Sequence, residues 1–521
     1  MSQAANPLFE AFLEGRARGG GELLERDDGR SLGYAEFLAL AGRFAATLVA
    51  AGVEPGDRVA VQVSKSPEAL ALYVGCVQAG AVFLPLNTAY TEPELAYFTN
   101  DAEPAAMVLD PDEAELGDRL LASIGSGDAA ADGGERVRRT FTLGANGEGS
   151  LIEAAGSRAP LEGAVPRRGE DLAAILYTSG TTGRSKGAML TQDNLLSNAR
   201  TLHDAWGFTP DDVLLHALPI FHTHGLFVAC NTTLLAGSRL IFLDAFDVDR
   251  VIEALPRASV MMGVPTFYTR LLDDERFTGE LVGGMRLFVS GSAPMLAATH
   301  EAFEQRTGQR ILERYGMTET NMNCSNPYEG ERVPGTVGPP LPGVEVRVRD
   351  EQRNEVARGE VGTLEVRGPN VFCGYWRMPE KTAEELLEDG FFITGDLASI
   401  DESGYVTIVG RDKDLVISGG YNIYPKEVER VLDALDGVEE SAVVGAPHAD
   451  MGEAVVAFVV REASAAGEAL DEERVSEAAA GSLARYKQPR RVRFIDELPR
   501  NAMGKVQKSV LREQVETLFE R

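Results

Sequence analysis

The chain has 521 residues, 80 of them acidic and 50 basic, giving a formal net charge of −30, and 44% are hydrophobic. A surplus of that sign excludes nucleic acid or an anionic membrane surface as the expected partner, so any anionic ligand must be met by a local positive site. At about 150 residues per unit the length allows three or four packed units, and the scattered cysteines Cys76, Cys230, Cys324 and Cys373 form no CxxC pair, which excludes a disulfide scaffold or zinc knuckle and fits a reducing cytoplasm.

The first fifteen residues lack a basic stretch followed by an apolar one, and nowhere do about eighteen apolar residues run together, so neither a leader nor a spanning helix is expected. Apolar residues recur at helical spacing over 34–50, alternate over 58–63 as in a strand, and return to helical spacing over 66–78. A strand over 81–86 follows, then a helix opened by Thr91 with Glu94 placed for a capping box, then a strand over 105–109. Strands alternating with helices of about 10–15 residues predict a parallel sheet covered on both faces. Residues 125–149 are rich in Gly, Ala, Asp and Arg, and read as an exposed loop or hairpin.

A second α/β unit is predicted from a strand over 172–177, a helix over 192–206, strands over 213–218 and 239–243, a helix over 265–272, a strand over 286–290 and a helix over 295–306. Between 344 and 409 short alternating runs separated by Gly and Pro predict antiparallel β structure. After Arg411 come a helix over 425–435, strands over 438–444 and 455–460, a helix over 472–483 and a strand over 491–495. The expected architecture is mixed α/β and α+β. A large domain of two α/β subdomains and a β-rich one spans 1–412, and a small α+β domain spans 413–521.

The strand over 172–177 empties into Thr178-Ser179-Gly180-Thr181-Thr182-Gly183-Arg184-Ser185-Lys186-Gly187. Glycines let the backbone approach an anion, hydroxyls add donors and Lys186 adds charge, so the loop is built to grip phosphate. Because Gly187 follows Lys186 and no GxGxxG occurs, neither a P-loop NTPase nor a dinucleotide fold is indicated. The loop resembles the phosphate signature of the adenylate-forming enzymes, the superfamily of acyl-CoA synthetases, luciferases and peptide-synthetase adenylation domains. Further motifs follow in that superfamily's order: Glu313-Arg314-Tyr315-Gly316-Met317-Thr318-Glu319, Thr394-Gly395-Asp396, Arg411-Asp412-Lys413 and Pro499 to Lys505 with Gly504-Lys505 at its end.

What the resemblance implies is specific. ATP is held by residues 178–183, Lys186, Ser292, Ala293, Glu313 to Thr318, Asp396, Arg411 and Lys505. Tyr315 stacks on adenine, Thr318 binds the α-phosphate, Asp396 takes the ribose hydroxyls, and Glu319 with Thr181 holds Mg²⁺. Lys505 bridges the attacking carboxylate and the α-phosphate. Lys413 is the hinge about which the small domain rotates, and Gly419, Gly420 and Tyr421 then form the coenzyme A tunnel.

For the acid, His222 and His224 lie two residues apart in Pro219 to Leu226, and no third ligand nearby favours a metal. His222 is expected as a catalytic gate beside the acyl site. Arg286 is the candidate for a distal carboxylate, helped by His222, His224 and Ser290, because a guanidinium matches a carboxylate bidentately. An ion pair beneath the strand is its alternative role. The amides of Asn321 and Asn323 are expected to line a polar acyl pocket, since a buried unpaired amide costs about 1–3 kcal/mol. Several runs, among them PIFHTHGLFVA and ERYGMTETNMN, resemble the malonyl-CoA synthetase branch. That implies ATP-dependent joining of malonate, and of methylmalonate, to coenzyme A, with another short-chain or aryl acid as the alternative. No carrier domain follows Arg521, so a free-standing ligase is expected rather than a carrier-loading module.

Overall fold

The computed structural model describes residues 6–19, 21–26, 28–124, 138–178, 185–293, 295–418, 421–448, 451–483, 485–501 and 504–519. The first α/β unit is a six-stranded sheet in the order Arg139–Thr142, Ala106–Leu109, Arg58–Gln62, Val82–Pro85, Leu172–Thr178, Lys186–Thr191. All its neighbours pair in parallel except the last, where Leu172–Thr178 and Lys186–Thr191 run antiparallel on either side of the glycine-rich loop. The loop therefore joins two strands of one hairpin. Residues 139–142, assigned to a loop from composition, form a fourth parallel strand at the sheet edge; a run as short as Arg-Thr-Phe-Thr gives too little periodicity to be recognised.

The second unit is an eight-stranded sheet, and its parallel strands Val213–His216, Val260–Gly263, Leu287–Ser290 and Leu312–Met317 lie side by side in the order 213, 260, 287, 312. Asn321–Ser325 closes that edge antiparallel to Leu312–Met317. Helix Pro67–Gln78 is buried along its whole length between the two units, which explains a sequence apolar on every face. Its Tyr73 ring meets Phe83 of the first sheet at 5.2 Å and Phe227 of the second unit at 5.8 Å. Gly75 is required there, because a Cβ would stand 2.7 Å from the Ala41 carbonyl oxygen.

A four-stranded antiparallel sheet, Glu345–Arg349, Gly362–Arg367, Phe392–Ile400 and Val406–Arg411, completes the large domain. The small domain packs helices Pro425–Asp433 and Glu472–Ser482 on a five-stranded sheet with its own apolar core around Val443, Val455 and Val459. All four cysteines are free thiols, three of them buried. Among the described residues no helix is long and apolar enough to cross a membrane.

Candidate active site

The parallel strands of the second sheet have their carboxyl ends on one side, at His216, Gly263 and Ser290, with the strand beside Ser290 running on past Glu313 to Met317, and ligands of open α/β sheets lie beyond such carboxyl ends. Strand Leu312–Met317 is buried through Arg314 and half-open from Tyr315 to Thr318, after which Glu319 is buried again. Gly316 is needed at its end: a Cβ would meet the Asn321 carbonyl oxygen at 1.9 Å, where the chain turns back on itself. Tyr315 donates its hydroxyl to Asp396 at 2.5 Å, and Arg411 Nε lies 2.9 Å from the same carboxylate. Asp396 is steadied further by a hydrogen bond from its backbone N–H to Thr394 Oγ1 at 3.0 Å. A tyrosine ring beside a positioned carboxylate and guanidinium suits a nucleoside, the carboxylate accepting from a diol.

Glu319 is buried, which raises its pKa, and its carboxylate accepts from the Tyr375 hydroxyl at 3.1 Å. That hydroxyl also approaches Glu385 at 2.7 Å, and Lys186 Nζ sits 3.2 Å from Glu385 and 4.2 Å above the Tyr375 ring. Among the described residues no group of three or more His, Cys, Asp or Glu side chains could hold a metal by itself. A single buried carboxylate fits Mg²⁺, which takes most of its ligands from water and phosphate. Of the phosphate loop, Thr178 ends its strand and Lys186 opens the next, while Ser179, Gly180, Thr181, Thr182 and Gly183 lie outside the described residues. Gly419 and Gly420 do so as well, and Tyr421 begins the strand Tyr421–Ile423.

Lys505 hangs on a tight turn in which Asn501 and Lys505 exchange hydrogen bonds, Asn501 N–H to the Lys505 carbonyl and Lys505 N–H to Asn501 Oδ1, both 3.0 Å. Arg500 clamps the turn by donating to the Gly504 carbonyl at 2.6 Å while pairing with Glu440. The turn rests on the large domain, since a Cβ on Gly504 would lie 3.4 Å from Thr266 Oγ1. Lys505 remains open to solvent, yet it is crowded enough in the cleft between the domains that desolvation, with Arg411 adding to it, pushes its ammonium down to about 8. Lys413 sits on the single turn Asp412–Asp414 that joins the domains, its carbonyl accepting from Arg512 at 3.3 Å.

Two expectations for the acid pocket are corrected. Arg286 does not face it: Nε and Nη2 donate to Asp212 at 2.7 and 2.8 Å, Nη1 donates to the Trp206 carbonyl at 2.9 Å, and the guanidinium lies 5.0 Å from the Tyr328 ring centre. The residue precedes strand Leu287–Ser290, so it sits at the amino end, about 13 Å from the carboxyl end at 3.3 Å per residue. Arg286→Ala is expected to cost about 3–5 kcal/mol of stability by stranding the buried Asp212, lowering the thermal midpoint while leaving the ranking of acids unchanged. Of the amides after Glu319, Asn323 is consumed internally, donating to Thr320 Oγ1 at 2.7 Å and accepting from Asn370 at 3.0 Å; Asn321 donates to the Asn370 carbonyl at 3.3 Å, and its buried Oδ1 has no partner among the described residues. A third reassignment concerns Glu313, whose carboxylate lies 3.2 Å from His300 Nδ1 and accepts the Gly335 N–H at 3.2 Å, so it holds the strand and does not face the nucleotide side.

A buried cation that does lack a carboxylate partner is Arg314. Its neighbours in the strand, Glu313 and Tyr315, point to the opposite face, and its guanidinium is 3% exposed and lies against Gly291. Among the described residues Nε and Nη2 have no hydrogen-bond partner and no carboxylate pairs with it, and burial pushes its pKa down to about 9. Other buried atoms without a partner among the described residues are Ser290 Oγ, Thr223 Oγ1 and His224 Nε2, the last on a ring that the Arg314 charge acts on. Ser292 Oγ lies 3.2 Å from His224 Nδ1; accepting that hydroxyl leaves the imidazole proton on Nε2. His222 accepts the His224 N–H at Nδ1, 3.4 Å away, and burial, with Arg314 and Lys505 adding to it, holds its pKa down to about 4. His224 is also kept neutral, by burial and by Arg314. Sequence reasoning placed Arg314 with the nucleotide; the signal available was a lone arginine inside an otherwise buried strand.

Gly291 makes room for this arginine. A Cβ there would lie 2.4 Å from Arg314 Cζ and 2.5 Å from Nη1, so Gly291→Ala is expected to shift the guanidinium by the order of 1 Å and lower kcat/KM for an acid that depends on it by about 10²-fold, read from steady-state kinetics beside an acid that does not.

The description "AMP-binding enzyme" matches residues 13–376, and "AMP-binding enzyme C-terminal domain" matches residues 427–505. A malonate–CoA ligase of Arabidopsis thaliana is 36% identical over 492 residues, spanning 88% of this chain and 80% of that protein. A feruloyl-CoA synthase of an Amycolatopsis species is 37% identical over 492 residues, spanning 94% of each. The crystal structure of ATP-bound MatB from Rhodopseudomonas palustris superposes with a TM-score of 0.94 at 55% identity, covering 99% of this chain and 100% of that one, whereas the apo form of MatB gives 0.83. The first match alone covers more than half of the sequence, and the chain belongs to the AMP-binding enzyme family.

Proposed function

We propose that the protein joins malonate to coenzyme A in two half-reactions. One carboxylate of malonate attacks the α-phosphorus of ATP and expels pyrophosphate, and the coenzyme A thiol then attacks the acyl carbon of malonyl-adenylate and expels AMP. The observation that carries the choice of acid is the buried Arg314 guanidinium with unpartnered Nε and Nη2, which offers the distal carboxylate a bidentate partner. An apolar tail would leave that charge unpaired, which argues against the aryl acid suggested by the feruloyl-CoA synthase relative.

The remaining roles follow from position. Asp396 takes the ribose hydroxyls, Tyr315 faces the adenine, and Thr318 with the backbone of Ser292 and Ala293 meets the phosphate side. Glu319, with Thr181, would hold Mg²⁺, whose charge eases the approach of two anions when bound. Lys505 contributes an ammonium at the point where carboxylate and α-phosphate meet. His222 and His224 border the acid as neutral groups, and His224 Nε2–H and Ser290 Oγ add donors to its distal end. Rotation about Lys413 would withdraw Lys505 and bring Gly419, Gly420 and Tyr421 to the coenzyme A path, as domain closure commonly separates successive steps. Methylmalonate is accepted too, because excluding one methyl group yields only about 1–3 kcal/mol.

The test is coenzyme A-dependent AMP release across malonate, methylmalonate, acetate, butyrate and ferulate, with the thioester product identified by mass. Malonate is expected to give the highest kcat/KM; a lead by any monocarboxylate contradicts the proposal.

A further inference from the structure

A half-buried lysine lies outside the motifs assigned to the nucleotide. Lys65 follows strand Arg58–Gln62 of the first sheet and reaches across to the end of a strand in the second, where its Nζ lies 2.8 Å from His216 Nδ1 and 2.9 Å from the His216 carbonyl oxygen. The ammonium stands 4.4 Å over the Phe242 ring, and among the described residues no carboxylate forms an ion pair with it. Asp244, the acidic group that acts on it electrostatically, is itself engaged by Arg250 at 2.7 Å. Desolvation lowers the Lys65 pKa to about 7. A half-buried ammonium without an ion pair is unfavourable for stability, and an apolar side chain would fill the same space at lower cost.

His216 passes this contact on. The ring is 1% exposed and stacked on Phe242 at 5.2 Å. Because Nδ1 accepts from Lys65, the imidazole proton stays on Nε2, which donates to the Gly225 carbonyl at 2.9 Å; the Cys230 thiol is 3.5 Å from the same nitrogen. Gly225 and Cys230 belong to a π-turn, His224–Cys230, a rare and strained conformation that recurs at functional sites. The turn is held on its other side as well, since a Cβ on Gly225 would fall 2.0 Å from the Pro219 carbonyl oxygen. Its first residue is His224, whose buried Nε2 has no hydrogen-bond partner among the described residues and whose ring lies near enough to Arg314 to be acted on by its charge.

We propose that Lys65, acting through His216 and the Gly225 carbonyl, is a positioning residue that fixes the π-turn carrying His224 and thereby the preference for an acid with a second anionic group. The inference rests on the reading of the pocket as a site for a distal carboxylate. Without the Lys65 contact the His216 tautomer is no longer imposed, the Gly225 carbonyl loses its donor in half of the rings, and His224 leaves the distal carboxylate.

The experiment measures pyrophosphate release with malonate and with acetate, at varied acid and varied ATP, for the wild type, Lys65→Met, Lys65→Arg and His216→Gln, with thermal midpoints recorded for each. Lys65→Met should fold with an unchanged or higher midpoint, raise the KM for malonate about tenfold, and leave acetate and the KM for ATP within about twofold. Lys65→Arg should recover most of the malonate KM, and His216→Gln should resemble Lys65→Met. An equal effect on malonate and acetate, or an unchanged malonate KM in a folded Lys65→Met, overturns the inference. If instead the wild type shows no preference for malonate over acetate, the proposed substrate itself fails.

Discussion

Replacing Arg314 by methionine is expected to lower kcat/KM for malonate by about 10²–10³-fold, because a buried charge-assisted pair with the distal carboxylate disappears. Acetate, which has no second carboxylate, should change by less than about tenfold. The stability of the unliganded protein should move the other way: removing a buried guanidinium whose Nε and Nη2 have no partner among the described residues, and substituting an apolar chain of similar length, is neutral or stabilising. Steady-state kinetics with both acids and one melting curve separate this outcome from general damage. A matched fall for both acids with a lower midpoint would make Arg314 a structural residue.

Lys505→Ala is expected to reduce formation of malonyl-adenylate from ATP by about 10²–10³-fold, the loss typical of removing one charge-stabilising donor. Transfer from supplied malonyl-adenylate to coenzyme A should survive if, as proposed, the small domain carries the lysine away between the steps. Equal losses in both half-reactions would contradict its assignment. The pH dependence has a definite sign. Lys505 acts as the ammonium and its pKa is lowered to about 8, so charge is lost as pH rises through that value. Adenylation by the free enzyme should therefore decline above about pH 8, and transfer from the adenylate should not share that decline.

Much of the fold was legible because its signals are local. Helix Tyr34–Ala50 has the predicted limits, Glu94 caps the next helix at Thr91 as its spacing implies, and strand Arg491–Ile495 is found where alternation placed it. Strands as short as Arg139–Thr142 were not legible, since four residues hold too little period and pairing partners supply the rest. The acid pocket was read less well for a related reason. Arg286 stands just before a buried strand and Arg314 within one, and the sequence does not say which has a carboxylate within reach. Asp212 stands 74 residues from Arg286 in the chain and meets it only after the sheet forms. The asparagines after Glu319 carry the same lesson, because Asn370, which bonds to both Asn321 and Asn323, comes from a distant segment. The π-turn at His224 leaves no recognisable period in seven residues.

The substrate assignment turns on one charge, so the most direct measurement compares malonate with acetoacetate, which has nearly the same shape but carries a methyl ketone in place of the distal carboxylate. Pyrophosphate release measured with each acid should give a kcat/KM ratio of about 10² or more in favour of malonate in the wild type, falling to within about tenfold in Arg314→Met. A wild-type ratio near one would mean that the pocket does not read a second carboxylate, and malonate would no longer be its acid.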